Sequence, residues 1–155
     1  MIHNVYLDHD GNVDDLVSLL LLMQVPDVKL TGVGVVGADS YLEPAVSASR
    51  KIIDLFGHDN TLQVAASNSR PVNQFPKEWR LSTFSFDAFP ILNERGTVKT
   101  TIADKPAHLD MVDKIMAADG PTTLVMTGPP VSYSHFRAHE KGRKLVCRFP
   151  HGKKK

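Results

Sequence analysis

Hydrophobic and polar positions along the chain change period repeatedly, and the changes mark out alternating strands and helices. Val5-Tyr6-Leu7 is a short β-type run that ends at Asp8 and Asp10. From Asp14 to Val25 the spacing turns helical, with acids in the first turn, apolar residues at 16, 17, 19, 20, 21 and 23, and Pro26 as the stop. Val28 to Val36 is rich in Val, Leu and Thr and predicts a buried strand closed by Gly37. Leu42 to Phe56 predicts an amphipathic helix, with Ala45, Ala48, Ile52, Ile53 and Phe56 on one face and Gly57 as its end. Leu62 to Ala66 predicts a third strand, Pro106 to Ala118 a third helix, and Thr122 to Met126 a fourth strand running into Thr127-Gly128-Pro129. Residues 67–105 carry Trp79, several phenylalanines and prolines without a clear period.

Strands alternating with helices predict an α/β fold: an open, mainly parallel, Rossmann-like sheet with helices on both faces. Ligands in such folds bind beyond the carboxyl ends of the strands. Three polar features fall there: Asp8 to Asp15, Gly37-Ala38-Asp39, and Thr127-Gly128. The segment 67–105 is long enough to fold over that rim as a lid.

Composition narrows the class. At 155 residues, with 42% hydrophobic and 23% charged residues, the chain suits one soluble core. The longest apolar run, Leu19 to Met23, is too short for a membrane span. One cysteine, Cys147, permits no internal disulfide and suits a reducing cytoplasm. The net charge of +1 conceals an asymmetry: residues 137–155 hold eight Lys/Arg against Glu140, leaving −6 on the remainder. We therefore expect a core over residues 1–130 and a divergent basic tail over 131–155. No aromatic interleaving or nucleic-acid motif accompanies the basic run, which argues against a nucleic-acid partner.

The acidic run Asp8-His9-Asp10-Gly11-Asn12-Val13-Asp14-Asp15 is the candidate chemistry. Asp8 and Asp10 share a strand face, and Asp14 and Asp15 open a helix whose free amides favour carboxylates. Four carboxylates held so close raise one another's pKa unless a hard cation, Ca²⁺ or Mg²⁺, neutralises them. An EF-hand loop starting at Asp8 fails, because Val13 and Leu19 stand where Gly and Glu are needed. A haloacid-dehalogenase-type, Mg²⁺-dependent phosphatase would make Asp8 the nucleophile and Asp10 the acid. It finds Asn12 where Thr or Ser usually follows, and no role for Asp14-Asp15. His9 alternates away from Asp8 and Asp10, which suits a structural role.

Tyr6 to Asp15 resembles the N-terminal aspartate cluster of the inosine–uridine nucleoside hydrolases, with Gly11-Asn12 where that family usually has Pro-Gly. Thr31 to Asp39 resembles its second strand and rim, and Leu124 to Pro129 the strand ending in Thr-Gly-Pro. The resemblance runs from about residue 4 to residue 129. It implies a Ca²⁺-dependent hydrolase of purine or pyrimidine ribonucleosides in the cytoplasm, often a homo-oligomer. Asp10 would be metal ligand and general base, Asp15 a ligand binding through both oxygens, and Thr127 a ligand through its backbone carbonyl. Asp14 would hold ribose, Asp39 would stand where the family has a ribose-binding Asn, and Asp8 would support the cluster. Family members are much longer, and their second half supplies a further Asp ligand and a His near the leaving base. The expectation is therefore a truncated or altered member, weakly active or inactive alone, with a non-catalytic metal- or ribose-binding fragment as the alternative.

Overall fold

A computed structural model describes residues 2–59 and 61–132; the basic tail, with Cys147, falls almost wholly outside them. Ten elements follow in order: β1 (His3–His9), α1 (Val13–Gln24), β2 (Val28–Val35), α2 (Leu42–Phe56), β3 (Val64–Ala66), α3 (Lys77–Arg80), α4 (Ser82–Asp87), α5 (Pro90–Asn93), α6 (Ala107–Ala117) and β4 (Thr122–Met126). The four strands form one parallel sheet in the order β3-β2-β1-β4. The expected open α/β sheet is thus observed, and β1 is a central strand. Chain order reverses between β1 and β4, so the crevice beyond their carboxyl ends is the topological switch point.

The two faces of β1 have different jobs. Val5 and Leu7, with Val33 and Val35 of β2, point into the main core against Leu16 and Leu19 of α1 and Ala45, Ala48, Ile52 and Ile53 of α2. Tyr6 points the other way, into a second apolar layer with Met111, Val112 and Ile115 of α6 and Leu124 of β4. There the Tyr6 hydroxyl donates to Asp110 Oδ2 at 2.9 Å and ties α6 to the sheet. Helices therefore cover both faces, as a buried parallel sheet requires.

An irregularity in the β1–β2 ladder sets what stands beside β1. Val5 pairs with Leu30 but Tyr6 pairs with Gly32, so Thr31 is an extra residue, and its hydroxyl donates to the Val5 carbonyl. The shift places Gly32 beside Tyr6 and Gly34 beside Asp8. A methyl group on Gly34 would come within 2.8 Å of Asp8 Oδ1, and one on Gly32 within 2.5 Å of the Tyr6 ring. Both glycines make room for larger β1 side chains.

Several details differ from the pattern-based expectation. The first strand runs on through Asp8 and His9, and the third begins at Val64, although Leu62 is buried ahead of it. Val17 and Leu21 fall on the solvent side of α1, because the stripe that meets the core is formed by Leu16 and Leu19 with Leu20 and Met23 beside them. Phe56, at the last turn of α2, is part-exposed beyond the sheet.

The aperiodic stretch 67–105 contains three short helices. It lies mainly along α2 rather than over the rim: Phe86 and Leu92 pack on the main core and Lys51 pairs with Asp87 at 2.8 Å. Its far end is pinned by Asp54 near the end of α2, whose carboxylate accepts from the Lys99 and Thr100 amides and the Thr100 hydroxyl at 2.6, 2.8 and 2.5 Å. Partial burial works to raise the Asp54 pKa, but these donors outweigh it and hold the group below its ordinary value. Asp54→Ala should cost about 2 kcal/mol at neutral pH, read as a lower urea midpoint. Because the folded pKa is depressed, the contribution is complete above the ordinary carboxylate range. The deficit should therefore shrink as pH falls through the range where wild-type Asp54 takes up a proton. An unchanged midpoint would show that these bonds add nothing.

Candidate functional site

The site is assembled where the chain leaves β1. Asp8 is the last even position inside the strand, and its side chain is buried beside Gly34, with neither oxygen hydrogen-bonded among the described residues. Burial pushes its carboxyl up to about 7; the Ser132 hydroxyl, close by but outside hydrogen-bonding geometry, pulls the other way, and the charge on Asp15 adds to the rise. A nucleophile must reach its substrate, so a carboxylate this enclosed does not suit the phosphatase reading.

His9 alternates to the opposite face, as its parity predicts, and is fully buried. The Ser49 hydroxyl donates its single proton to the Ala45 carbonyl at 2.7 Å, so it accepts from His9 Nε2–H at 3.3 Å. Burial drives the imidazole pKa down to about 4, with Asp15 resisting. His9 is a neutral bracket between β1 and α2.

Beyond the strand, Gly11 takes φ of +82°, a left-handed conformation that side chains resist. It also lies so close to α2 that a methyl group there would be 2.2 Å from Ala45 Cβ. Asn12 then caps α1, its side chain accepting from Val13 N at 2.8 Å, and Asp15 Oδ2 accepts from the Asn12 amide at 3.0 Å. This reciprocal capping box fixes Asp15 at the third helical position. It engages one carboxylate oxygen and leaves Asp15 Oδ1 buried without a partner.

Asp10 sits between these features. Its Oδ2 accepts from the Asp39 amide at 3.2 Å, which joins the β2–α2 rim to the β1–α1 junction. Burial, then the facing carboxylate of Asp15, push the Asp10 pKa up. On Asp15 burial acts to raise the pKa, but Asp10, the Thr127 hydroxyl, His9 and the Asn12 amide together bring it below its ordinary value. The Asp39 carboxyl is raised by partial burial and then by Asp15 and Asp14, with Asp10 and Arg80 opposing. Asp14 is exposed on the first turn of α1.

The third rim closes the arrangement. Thr127 N donates to the Asp8 carbonyl at 3.0 Å, so β4 stays in register with β1 to its end. Gly128 then crosses the β1–α1 junction so tightly that a methyl group would lie 2.9 Å from Asp10 N and 3.1 Å from the His9 carbonyl carbon. Asp8, Asp10, Asp15, Asp39 and Thr127 thus come together around one strand end, with Asp14 at its edge.

The chain as a whole matches known proteins. The family model described as inosine-uridine preferring nucleoside hydrolase matches residues 5–131. The chain belongs to that family. An inosine-uridine preferring nucleoside hydrolase from Bacillus anthracis, known from a crystal structure, is 54% identical with a TM-score of 0.86, over 88% of this chain and 45% of that one. An inosine-guanosine nucleoside hydrolase (17% identity, TM-score 0.67, 88% of this chain, 43% of that one) shares the fold. So does a purine-preferring ribonucleoside hydrolase from Gardnerella vaginalis (20%, 0.58, 87% and 43%). A search of curated proteins gives no match. The chain spans under half the length of these solved relatives.

The residues present can be tested against a metal ion. Among the described residues no group of three or more His, Cys, Asp or Glu side chains is arranged to hold one by itself. Two observations nevertheless suit a hard cation: Asp15 Oδ1 is buried and unpartnered, and Asp10 and Asp15 face each other with only one of them able to keep its charge comfortably. Two carboxylates and a nearby threonine are part of the six to eight oxygens that Ca²⁺ accepts. The donor set fits as a partial shell. The bidentate role expected of Asp15 meets a competitor, because the capping bond already uses Oδ2.

Pattern reading missed the capping role of Asp15 and the contacts that tie the rim to residues 74 and 80. The first had a signal, Asn12 three residues before Asp15. The second depends on long-range packing and had none.

Two measurements follow from this geometry. Gly11→Ala combines left-handed strain with a clash against backbone-anchored Ala45. It should lower stability by about 2–4 kcal/mol in denaturant titrations, and a loss below half a kcal/mol would contradict the close approach. The second is a pH dependence. Asp8 has a folded pKa raised above its unfolded one, so its stabilisation is complete in acid and lost as pH rises through about 7; Asp10 acts in the same direction. His9, depressed to about 4, is neutral in both folded and unfolded chains above its ordinary value of 6.5. With a chelator present, the melting temperature should fall between pH 6.5 and 8, and Ca²⁺ should reduce that fall. A melting temperature that rises over this window without metal would contradict it.

Proposed function

We propose that this chain carries the metal- and ribose-binding half of a Ca²⁺-dependent nucleoside hydrolase, which cleaves the N-glycosidic bond of purine or pyrimidine ribonucleosides to ribose and free base. The observation that carries the reading is the meeting of Asp10, Asp15 and Thr127 at the switch point, within a chain 54% identical to an inosine-uridine preferring nucleoside hydrolase.

Asp10, Asp15 and the Thr127 backbone carbonyl would hold the ion. When bound, the ion supplies charge to anchor ribose hydroxyls and to acidify a water. Asp10 would be the general base, its raised proton affinity suiting it to take a proton from an attacking water. Its Oδ2 is held by the Asp39 amide, so the carboxylate is aimed before substrate arrives. Asp14 and Asp39 face the ribose. Asp39 accepts hydrogen bonds when ionised, which suits it to the donating hydroxyls of a sugar. N-glycoside cleavage develops positive charge on the ribose ring, which this carboxylate-rich pocket favours. Asp8 is almost wholly buried and supports the cluster from within β1.

No helix among the described residues is long and apolar enough to cross a membrane; a cytoplasmic location, homo-oligomers and the division at residue 130 between core and basic tail are part of the proposal. Weak or absent turnover by the 155-residue chain is part of the same proposal, because the chain spans under half the length of its solved relatives.

Calorimetric titration with Ca²⁺, with and without ribose, tests binding, and release of p-nitrophenol from a p-nitrophenyl riboside tests chemistry. Binding that Asp15→Asn weakens at least tenfold, with little turnover, is expected. Robust Ca²⁺-dependent turnover abolished by Asp10→Asn would overturn the expectation of weak activity. Absence of both ion and ribose binding would overturn the proposed half-site.

A further inference from the structure

One part of the irregular segment does reach the rim. Gln74 Nε2 donates to the Gly37 carbonyl at 2.9 Å, and its Oε1 accepts from Arg80 Nη1 at 3.1 Å. Only this orientation of the amide satisfies both neighbours. Arg80 Nη2 donates in turn to the Ser40 carbonyl at 3.4 Å, and the guanidinium lies 4.3 Å from the centre of the Tyr41 ring. Tyr41 packs on Phe84 at 5.6 Å, which closes the arrangement from the α4 side.

These contacts bracket one short loop. Gly37, Ser40 and Tyr41 are each held, and between them lies Asp39, whose amide holds Asp10 Oδ2 at 3.2 Å. The loop has no ladder partner of its own from Gly37 to Tyr41, since β2 ends at Val35 and α2 begins at Leu42. Its Tyr41 carbonyl accepts from Ala45 N at 3.2 Å, and Ala38 and Ser40 are buried; the side-chain bonds that Gln74 and Arg80 make to Gly37 and Ser40 hold the stretch between.

We propose that Gln74 and Arg80 form a clamp that positions the Gly37–Tyr41 loop, and through the Asp39 amide the carboxylate of Asp10. Neither is a catalytic residue; both are positioning residues acting from the segment that sequence pattern left without structure. The clamp depends on the planar fork of arginine, which bridges an amide oxygen and a carbonyl while stacking on a ring. A lysine keeps the charge near Asp39 but offers neither the bridge nor the stack. A role through charge alone and a role through geometry are therefore separable. The effect on ligands rests on the metal and ribose reading above; the ordering of the loop does not.

The test compares the full chain with Arg80→Lys, Gln74→Leu and, as a control for general loss of stability, Asp54→Ala, whose contacts lie at the far end of α2. Hydrogen–deuterium exchange resolves the peptide containing residues 37–41. In both clamp variants its amides should exchange about tenfold faster, while β1 and β2 keep their protection; Asp54→Ala should leave the peptide unchanged. Calcium affinity, measured by calorimetry, should fall about tenfold in Arg80→Lys, as expected when a ligand loses its outer support. Unchanged exchange at 37–41, or an equal rise throughout the chain, overturns the clamp. Faster exchange with Ca²⁺ affinity fully retained overturns its role in aiming Asp10. If the wild-type chain binds no Ca²⁺, the functional reading falls, and exchange alone decides whether the clamp orders the loop.

Discussion

Everything at the strand ends depends on carboxylates buried where the protein offers them too few donors. Asp8 and Asp15 each bring unpartnered oxygens into the interior, and Asp10 has one amide within reach. An uncompensated buried charge is among the costlier things a fold can contain. The chain holds these groups through backbone geometry rather than through counter-charges. The bulge at Thr31 puts a glycine beside Asp8, the turn at Gly11 brings the junction onto α2, and Gly128 lets β4 pass over Asp10. Each device tightens the site and none neutralises it. Such an arrangement makes sense where a cation completes the charge balance, and it explains why stability and ion binding should be linked.

Much of this was legible from residue order alone. The alternation of periods gave the strands, the helices on both faces and the rim on which polar segments meet, because each long element shows one dominant face. The aspartate cluster was legible because four acids in eight residues have few structural explanations. Outward-facing Val17 and Leu21 were not foreseen, since a helix with apolar residues on two stripes does not say which stripe meets the sheet. Residues 67–105 were opaque for a related reason. Helices of four to six residues are too short to show a period, and this segment is held by single side chains such as Lys51, Asp54 and Arg80, whose partners lie 36 to 46 positions away.

The two sides of β1 show how one strand serves stability and chemistry together. Odd positions carry Val5, Leu7 and His9 into the main core; even positions carry Tyr6 toward α6 and Asp8 toward the switch point. The register shift at Thr31 makes the even side workable, because an unshifted β2 would place Thr31 beside Tyr6 and Val33 beside Asp8. Val33 there would bring branched bulk against the carboxylate and remove itself from the main core. One extra residue thus settles packing on one face and acidity on the other.

The turn after Asp10 sets the start of α1 and the place of Asp15 together. Where the resemblance leads one to expect Pro-Gly, this chain has Gly11-Asn12. Proline could not adopt the φ of +82° that Gly11 takes. Asn12 gives something in return: its side chain caps α1, and its amide binds Asp15. The helix start and the candidate ligand are then set by the same pair of residues. Asp15 is held at the positive end of the helix dipole, with Oδ2 bound to the Asn12 amide and Oδ1 buried without a hydrogen-bond partner. A carboxylate fixed in this way loses little freedom when an ion arrives, which offsets part of the cost of burying it before then.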